Sequence, residues 1–191
     1  MDSITRKTGN EEFKNINKNL KLLDFWSWAH SNILENIERG KLAEYIVATA
    51  IDRENIINER FLEYDLITKE NIKIEIKSSS YLQSWSQKNH SKIIFNIPKT
   101  YRWDNINNRY ENLKKRQADV YIFCLLKHKE KHTLNPLDVN QWEFYIMSTK
   151  LLNKLCFENR TISLNKLKQI GATKCHYKEI YNTVKTLVNG I

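Results

Sequence analysis

Asp65, Glu75 and Lys77 are the residues whose types and spacing could support chemistry. Residues 72–77 read IKIEIK. On a strand, period two sets Ile72, Ile74 and Ile76 on one face and Lys73, Glu75 and Lys77 on the other, with Glu75 and Lys77 about 7 Å apart. Taken alone, such a face also suits an edge strand carrying solubilising charge. Asp65, in the preceding FLEYDLI, changes its meaning. Two carboxylates that converge repel each other unless a cation lies between them. Hard oxygen ligands suit Mg²⁺ or Mn²⁺, with waters and a phosphate completing the shell. A lysine alongside can orient or deprotonate an attacking water, or stabilise charge on the phosphate.

Convergence depends on one hairpin. Residues 61–67 and 72–77 read as paired strands, and the polar TKEN between them suits the turn. A four-residue turn sets Asp65 opposite Ile74. An odd turn, such as residues 69–71, or a bulge sets it opposite Glu75. Glu44 is a third acid. It lies in the largely apolar KLAEYIVATAI (41–51), where a carboxylate is costly unless exposed, paired or metal-bound.

The remaining elements must hold this cluster. Residues 1–20 read as a loose arm or frayed helix, ahead of one domain over 21–191. A helix is expected over 24–38, with Gly40 interrupting before a second, mostly buried helix over 41–51. After the hairpin, KIIFNI (92–97) reads as a strand closed by Pro98, and residues 100–117 as a long loop. ADVYIFCLL (118–126) reads as a central strand and WEFYIM (142–147) as another. Ser148 and Ser163 suit helix caps for 149–155 and for a helix ending at Gly171, and 176–188 reads as a last helix. Helix, strands, then helices indicate an α/β sandwich around a mixed sheet.

Glu44 on a leading helix, Asp65 near a strand end, and Glu75-Ile-Lys77 on the next strand resemble the PD-(D/E)XK nuclease superfamily. Tyr64 stands where the family name places proline, and Gln83 is followed by Gln87 rather than the tyrosine that marks one branch. The segments RGKLAEY, KSSSYLQSW, RQADVYIF and NQWEFYIM resemble a stand-alone bacterial branch. The resemblance implies a restriction-endonuclease-like α/β/α sandwich with a central mixed β-sheet, and hydrolysis of phosphodiester bonds in DNA with Mg²⁺ or Mn²⁺. It assigns the metal to Asp65, Glu75, Glu44 and the Ile76 carbonyl, and the nucleophilic water to Lys77. It implies a restriction or defence role. Restriction-type cutters often act as homodimers, although the sequence carries no dimer signature.

Under the same resemblance, Ser78, Ser79, Tyr81 and Gln83 line a phosphate groove directly after the catalytic strand, against the plain alternative of a strand exit. Residues 99–117 interleave Arg102, Arg109, Lys114, Lys115 and Arg116 with Tyr101, Trp103 and Tyr110, as backbone contact and base stacking need. The net charge of +9 fits a polyanionic partner. Trp26, Trp28 and Trp142 read as core. The three cysteines are odd in number and far apart, which suits a reducing compartment. His128 and His132, among lysines, read as a solvated loop rather than a zinc site. No apolar run approaches a membrane span, and no targeting segment is evident, so a cytoplasmic location is expected. Two alternatives stay open: a nuclease fold that binds without cutting, and a nucleic-acid-binding regulator of unrelated fold.

Overall fold

The computed structural model describes residues 4–57, 63–104 and 107–189. Residues 4–20 carry no helix but are pinned to the first helix of the chain, with Leu23 N–H donating to Gly9 O and Leu22 N–H to Glu11 O. Gly9 has φ +92°, and a Cβ there would stand 3.1 Å from the Trp26 ring, so the close approach needs glycine.

Two helices lead the domain, α1 (Leu22–His30) and α2 (Asn36–Ala50). The break expected at Gly40 falls instead across residues 31–35. The Ser31 hydroxyl turns back onto the Ser27 carbonyl, and the Glu35 carboxylate caps α2 by accepting from Ile37 N–H at 2.8 Å. Gly40 faces open space within α2, where it costs only a glycine's helix propensity, about 1 kcal/mol. Ala43, Ile46, Val47 and Ala48 of α2 are buried. None of α1 is buried, and Trp28, expected in the core, is 85% exposed.

The strands are β1 (Leu66–Ile67), β2 (Lys73–Ser80), β3 (Ile94–Asn96), β4 (Trp103–Asp104), β5 (Arg109–Tyr110), β6 (Val120–Leu126) and β7 (Trp142–Ser148). Then come α3 (Thr149–Cys156), β8 (Thr161–Ser163), α4 (Leu164–Gln169), β9 (Thr173–Cys175) and α5 (Ile180–Asn189). The strand expected over 61–67 is formed only at its last two residues; residues 61 and 62 lie outside the described chain, and 63–65 bend. β2 runs three residues past Lys77. The loop expected over 100–117 contains a hairpin, with Trp103 opposite Tyr110 and a further bridge from Thr100 to Lys115.

A five-stranded mixed sheet, ordered β1-β2-β6-β7-β9, forms the centre of this α/β fold. β2 and β6 are parallel and the other pairs antiparallel. Its apolar residues divide by the strand period. Ile72, Ile74, Ile76, Val120, Ile122 and Cys124 pack with α2 and α5 on one side. Tyr121, Phe123, Leu125, Tyr145 and Met147 pack with α3, α4 and the small β3–β8 sheet on the other. β6 is buried throughout, as a continuous apolar run with a layer on each face requires. Ser148 and Ser163 cap α3 and α4, and Gly171 follows α4 with φ +87°. All three cysteines are free and buried. Among the described residues, no helix is long and apolar enough to cross a membrane.

Candidate active site

The turn joining β1 to β2 has three residues rather than four. Thr68 N–H donates to Ile72 O at 3.0 Å, closing a loop of residues 69–71. The Thr68 hydroxyl also accepts from Ile72 N–H. Asn71 supplies the left-handed residue, φ 64°, that such a loop needs. The register is Leu66↔Ile74 and Ile67↔Lys73, and one further step sets Asp65 across from Glu75.

The β1 ladder ends at Leu66, and the side chain of Asp65 takes over the open edge. Its Oδ2 accepts from Ile76 N–H at 2.6 Å, and its own N–H donates to Ile74 O at 3.0 Å. On the face of β2 opposite its isoleucines, Lys77 Nζ lies 2.5 Å from Glu75 Oε1. Burial, and next the charge of Glu75, push the Asp65 carboxyl up to about 6, against the pull of the Ile76 N–H and the Lys77 ammonium. The Glu44 charge raises it further.

Glu44 approaches from α2, on the isoleucine side of the sheet. Lys41 Nζ sits 2.6 Å from its carboxylate, and a cavity of about 230 Å³ lined by Lys41, Glu44, Tyr45, Arg53, Glu54 and Leu66 opens beside it. Among the described residues, no three His, Cys, Asp or Glu side chains gather closely enough to hold a metal together. The structure thus brings Asp65, Glu75 and Lys77 together and leaves Glu44 at their flank. His128 is half-buried, and its Nε2 lies 2.7 Å from the Thr133 hydroxyl.

Several residues expected to touch a polyanion belong to the frame instead. Ser78, Ser79 and Ser80 continue β2 beside Cys124, Leu125 and Leu126, and Ser79 and Ser80 are buried. Gln83 is buried too. Its side chain accepts from the Arg39 guanidinium at 3.1 Å and donates to Ser80 O and Ser91 Oγ, and its backbone N–H donates to Gln87 Oε1. Arg116 is buried and donates to Ile97 O, Asn153 Oδ1, Cys156 O and Asn159 O, so it clamps the end of α3. Gln83 and Arg116 point inward because the carbonyls they satisfy would otherwise be buried unpaired. Tyr81 is half-buried, with the Lys129 ammonium 4.6 Å from its ring centroid.

The β4–β5 arm keeps the exposed set. Arg109, Lys114 and Lys115 face solvent, and the Tyr110 ring meets Trp103 at 4.9 Å and Tyr101 at 6.4 Å. Arg102 ties the arm to the site edge: its Nε lies 2.5 Å from Glu63 Oε1, and Glu63 Oε2 lies 3.8 Å from Lys73 Nζ. Reading the sequence missed Glu63, Arg39 and Tyr121 as partners of this region. Only Tyr121 left a signal, the sole hydroxyl within a continuous apolar run.

A family model described as bacteriophage T4 endonuclease IV matches residues 8–166, a span that holds the whole Asp65–Glu75–Lys77 cluster, its helix and the arm. No curated protein and no solved structure matches the chain. With most of its 191 residues under that match, the chain belongs to the bacteriophage T4 endonuclease IV family of nucleases.

Proposed function

We propose that the chain is a metal-dependent endonuclease that hydrolyses phosphodiester bonds of DNA at a PD-(D/E)XK-type site built from Asp65, Glu75 and Lys77. The observation that carries this reading is the turn register, which sets two carboxylates against each other at the open end of a ladder. Their mutual repulsion, felt in the raised Asp65, is what a divalent cation would relieve. The donor set is oxygen only: the two carboxylates, with the Ile76 carbonyl on the edge to which the Ile76 N–H already points. Bound there, Mg²⁺ or Mn²⁺ would supply charge stabilisation to the phosphate and lower the pKa of a coordinated water. Lys77, held against Glu75, is within reach of the same face and orients the nucleophile. Glu44 adds negative charge from the helix side.

DNA as substrate is supported by the net charge of +9 and by the exposed basic and aromatic arm anchored beside the acids. Purified protein incubated with plasmid DNA and Mg²⁺ or Mn²⁺ tests the reading. Nicking or linearisation is expected, with Asp65→Ala and Lys77→Ala each slower by at least about 100-fold. No cleavage by wild type, or unchanged cleavage by both variants, would sink it. A parallel RNA substrate separates the two nucleic acids. A restriction or defence role rests on the PD-(D/E)XK resemblance, and a methyltransferase gene beside this one would support it.

A further inference from the structure

Tyr121 lies on β6 beside Glu75 in the parallel register, just as Phe123 lies beside Lys77. Neighbours in register share a face, so Tyr121 belongs to the side of the sheet that carries Glu75 and Lys77. Its side chain is 3% exposed, and its ring stacks on Phe123 with centroids 5.9 Å apart. A buried tyrosine ordinarily gives its hydroxyl a partner. Tyr145, also buried, does so at 2.7 Å from Glu143, and Tyr177 and Tyr181 bond Thr49 and Glu70.

The Tyr121 hydroxyl bonds no described residue. Among the described residues, the side-chain polar atoms that are both unpartnered and cut off from solvent belong to Arg39, Glu54 and Thr149, and the Tyr121 oxygen is not one of them. Its place in the register sets it on the face that carries the acids. The charges of Glu75 and Asp65 both act on it; burial first, and then these charges, push the phenol up, with the Arg116 guanidinium pulling the other way. The group stays a neutral donor.

A free neutral donor beside two carboxylates is suited to an acceptor that arrives from outside. Glu75 already faces Lys77, and Asp65 already holds the Ile76 N–H. A phosphodiester brings acceptor oxygens and no proton. We propose that Tyr121 is a further catalytic residue of this site, its hydroxyl donating a hydrogen bond to a non-bridging oxygen of the scissile phosphate. The inference rests on the nuclease reading above. Negative charge grows on that oxygen as the pentacovalent transition state forms, so the bond strengthens there and acts on turnover rather than on binding.

Full-length Tyr121→Phe is to be compared with wild type and Lys77→Ala on plasmid DNA with Mg²⁺. The expected result is a kcat lower by about 10–100-fold, with KM within about twofold of wild type. The Tm should be unchanged or higher, because no bond to a described residue is lost. Wild-type turnover by Tyr121→Phe alongside an inactive Lys77→Ala would overturn the role of Tyr121 and leave the nuclease reading standing. A lower Tm with kcat and KM both degraded would assign Tyr121 to the frame and also overturn it. An inactive wild type would remove the nuclease reading and this inference with it.

Discussion

Ionised Asp65 is held against its own electrostatics. An unfolded carboxyl titrates near 3.9, and burial with the Glu75 charge moves this one up to about 6. Between those values the folded state keeps a proton that the unfolded state has lost, so stability falls as pH rises through this window. Above pH 6 the remaining penalty is on the order of 3 kcal/mol. Asp65→Asn should therefore raise Tm by several degrees at pH 8 and leave it unchanged near pH 4, as thermal denaturation at the two pH values will show. Under the metal reading, millimolar Mg²⁺ should raise the wild-type Tm at pH 8 and leave that of Asp65→Asn unmoved. A wild type indifferent to Mg²⁺ and Mn²⁺ would count against a metal at this pair.

The turn is the element on which the site depends. IKIEIK was legible as a strand because its alternation is complete, and its isoleucines do face α2 and α5. The partner strand reads as seven residues; of its described residues only Leu66 and Ile67 form the ladder, since Asp65 turns its carboxylate onto the Ile76 N–H and ends the ladder there. Loop length was less legible: TKEN reads as four polar residues, yet Thr68 pairs with Ile72 and leaves three. Asn71, with φ 64°, is the residue this loop needs. Asn71→Val, β-branched and strained in that region, should cost about 1–2 kcal/mol in urea denaturation. One glycine inserted after Glu70 should do more harm to cleavage than to folding. It moves Asp65 by one register step, to the face opposite Glu75, while the isoleucines of β2 stay in the core.

Across the whole molecule, +9 of net charge is divided between surface and frame. Arg116 and Arg109 read alike in sequence, as two arginines in one basic, aromatic stretch. In the fold Arg116 is buried under five hydrogen-bonded acceptors and Arg109 is exposed on the arm. Arg116→Ala should destabilise the protein by about 3 kcal/mol, because it leaves several buried carbonyls unpaired. Arg109→Ala should leave Tm unchanged and weaken DNA binding at all sequences. It should also reduce the slope of log K against log salt by about one, measured by fluorescence anisotropy between low and physiological salt. Equal effects of the two substitutions on stability would contradict this division.

Local pattern determined what depends on a period or a cap. The burial of β6, the two faces of β2, the serine caps of α3 and α4 and the stop at Gly171 all stem from neighbours along the chain. The acids, the lysine and their chemistry were also visible there, as residue types at a strand's spacing. Tertiary structure decided which polar groups face inward. Ser80, Gln83 and Arg116 turn to groups brought near by distant segments, and no local pattern encodes those partners. It also set Tyr121 beside Glu75, through a parallel pairing that joins segments 46 residues apart. The approach of Asp65 to Glu75 lies between the two cases, because a single left-handed residue in the turn selects the register that joins them.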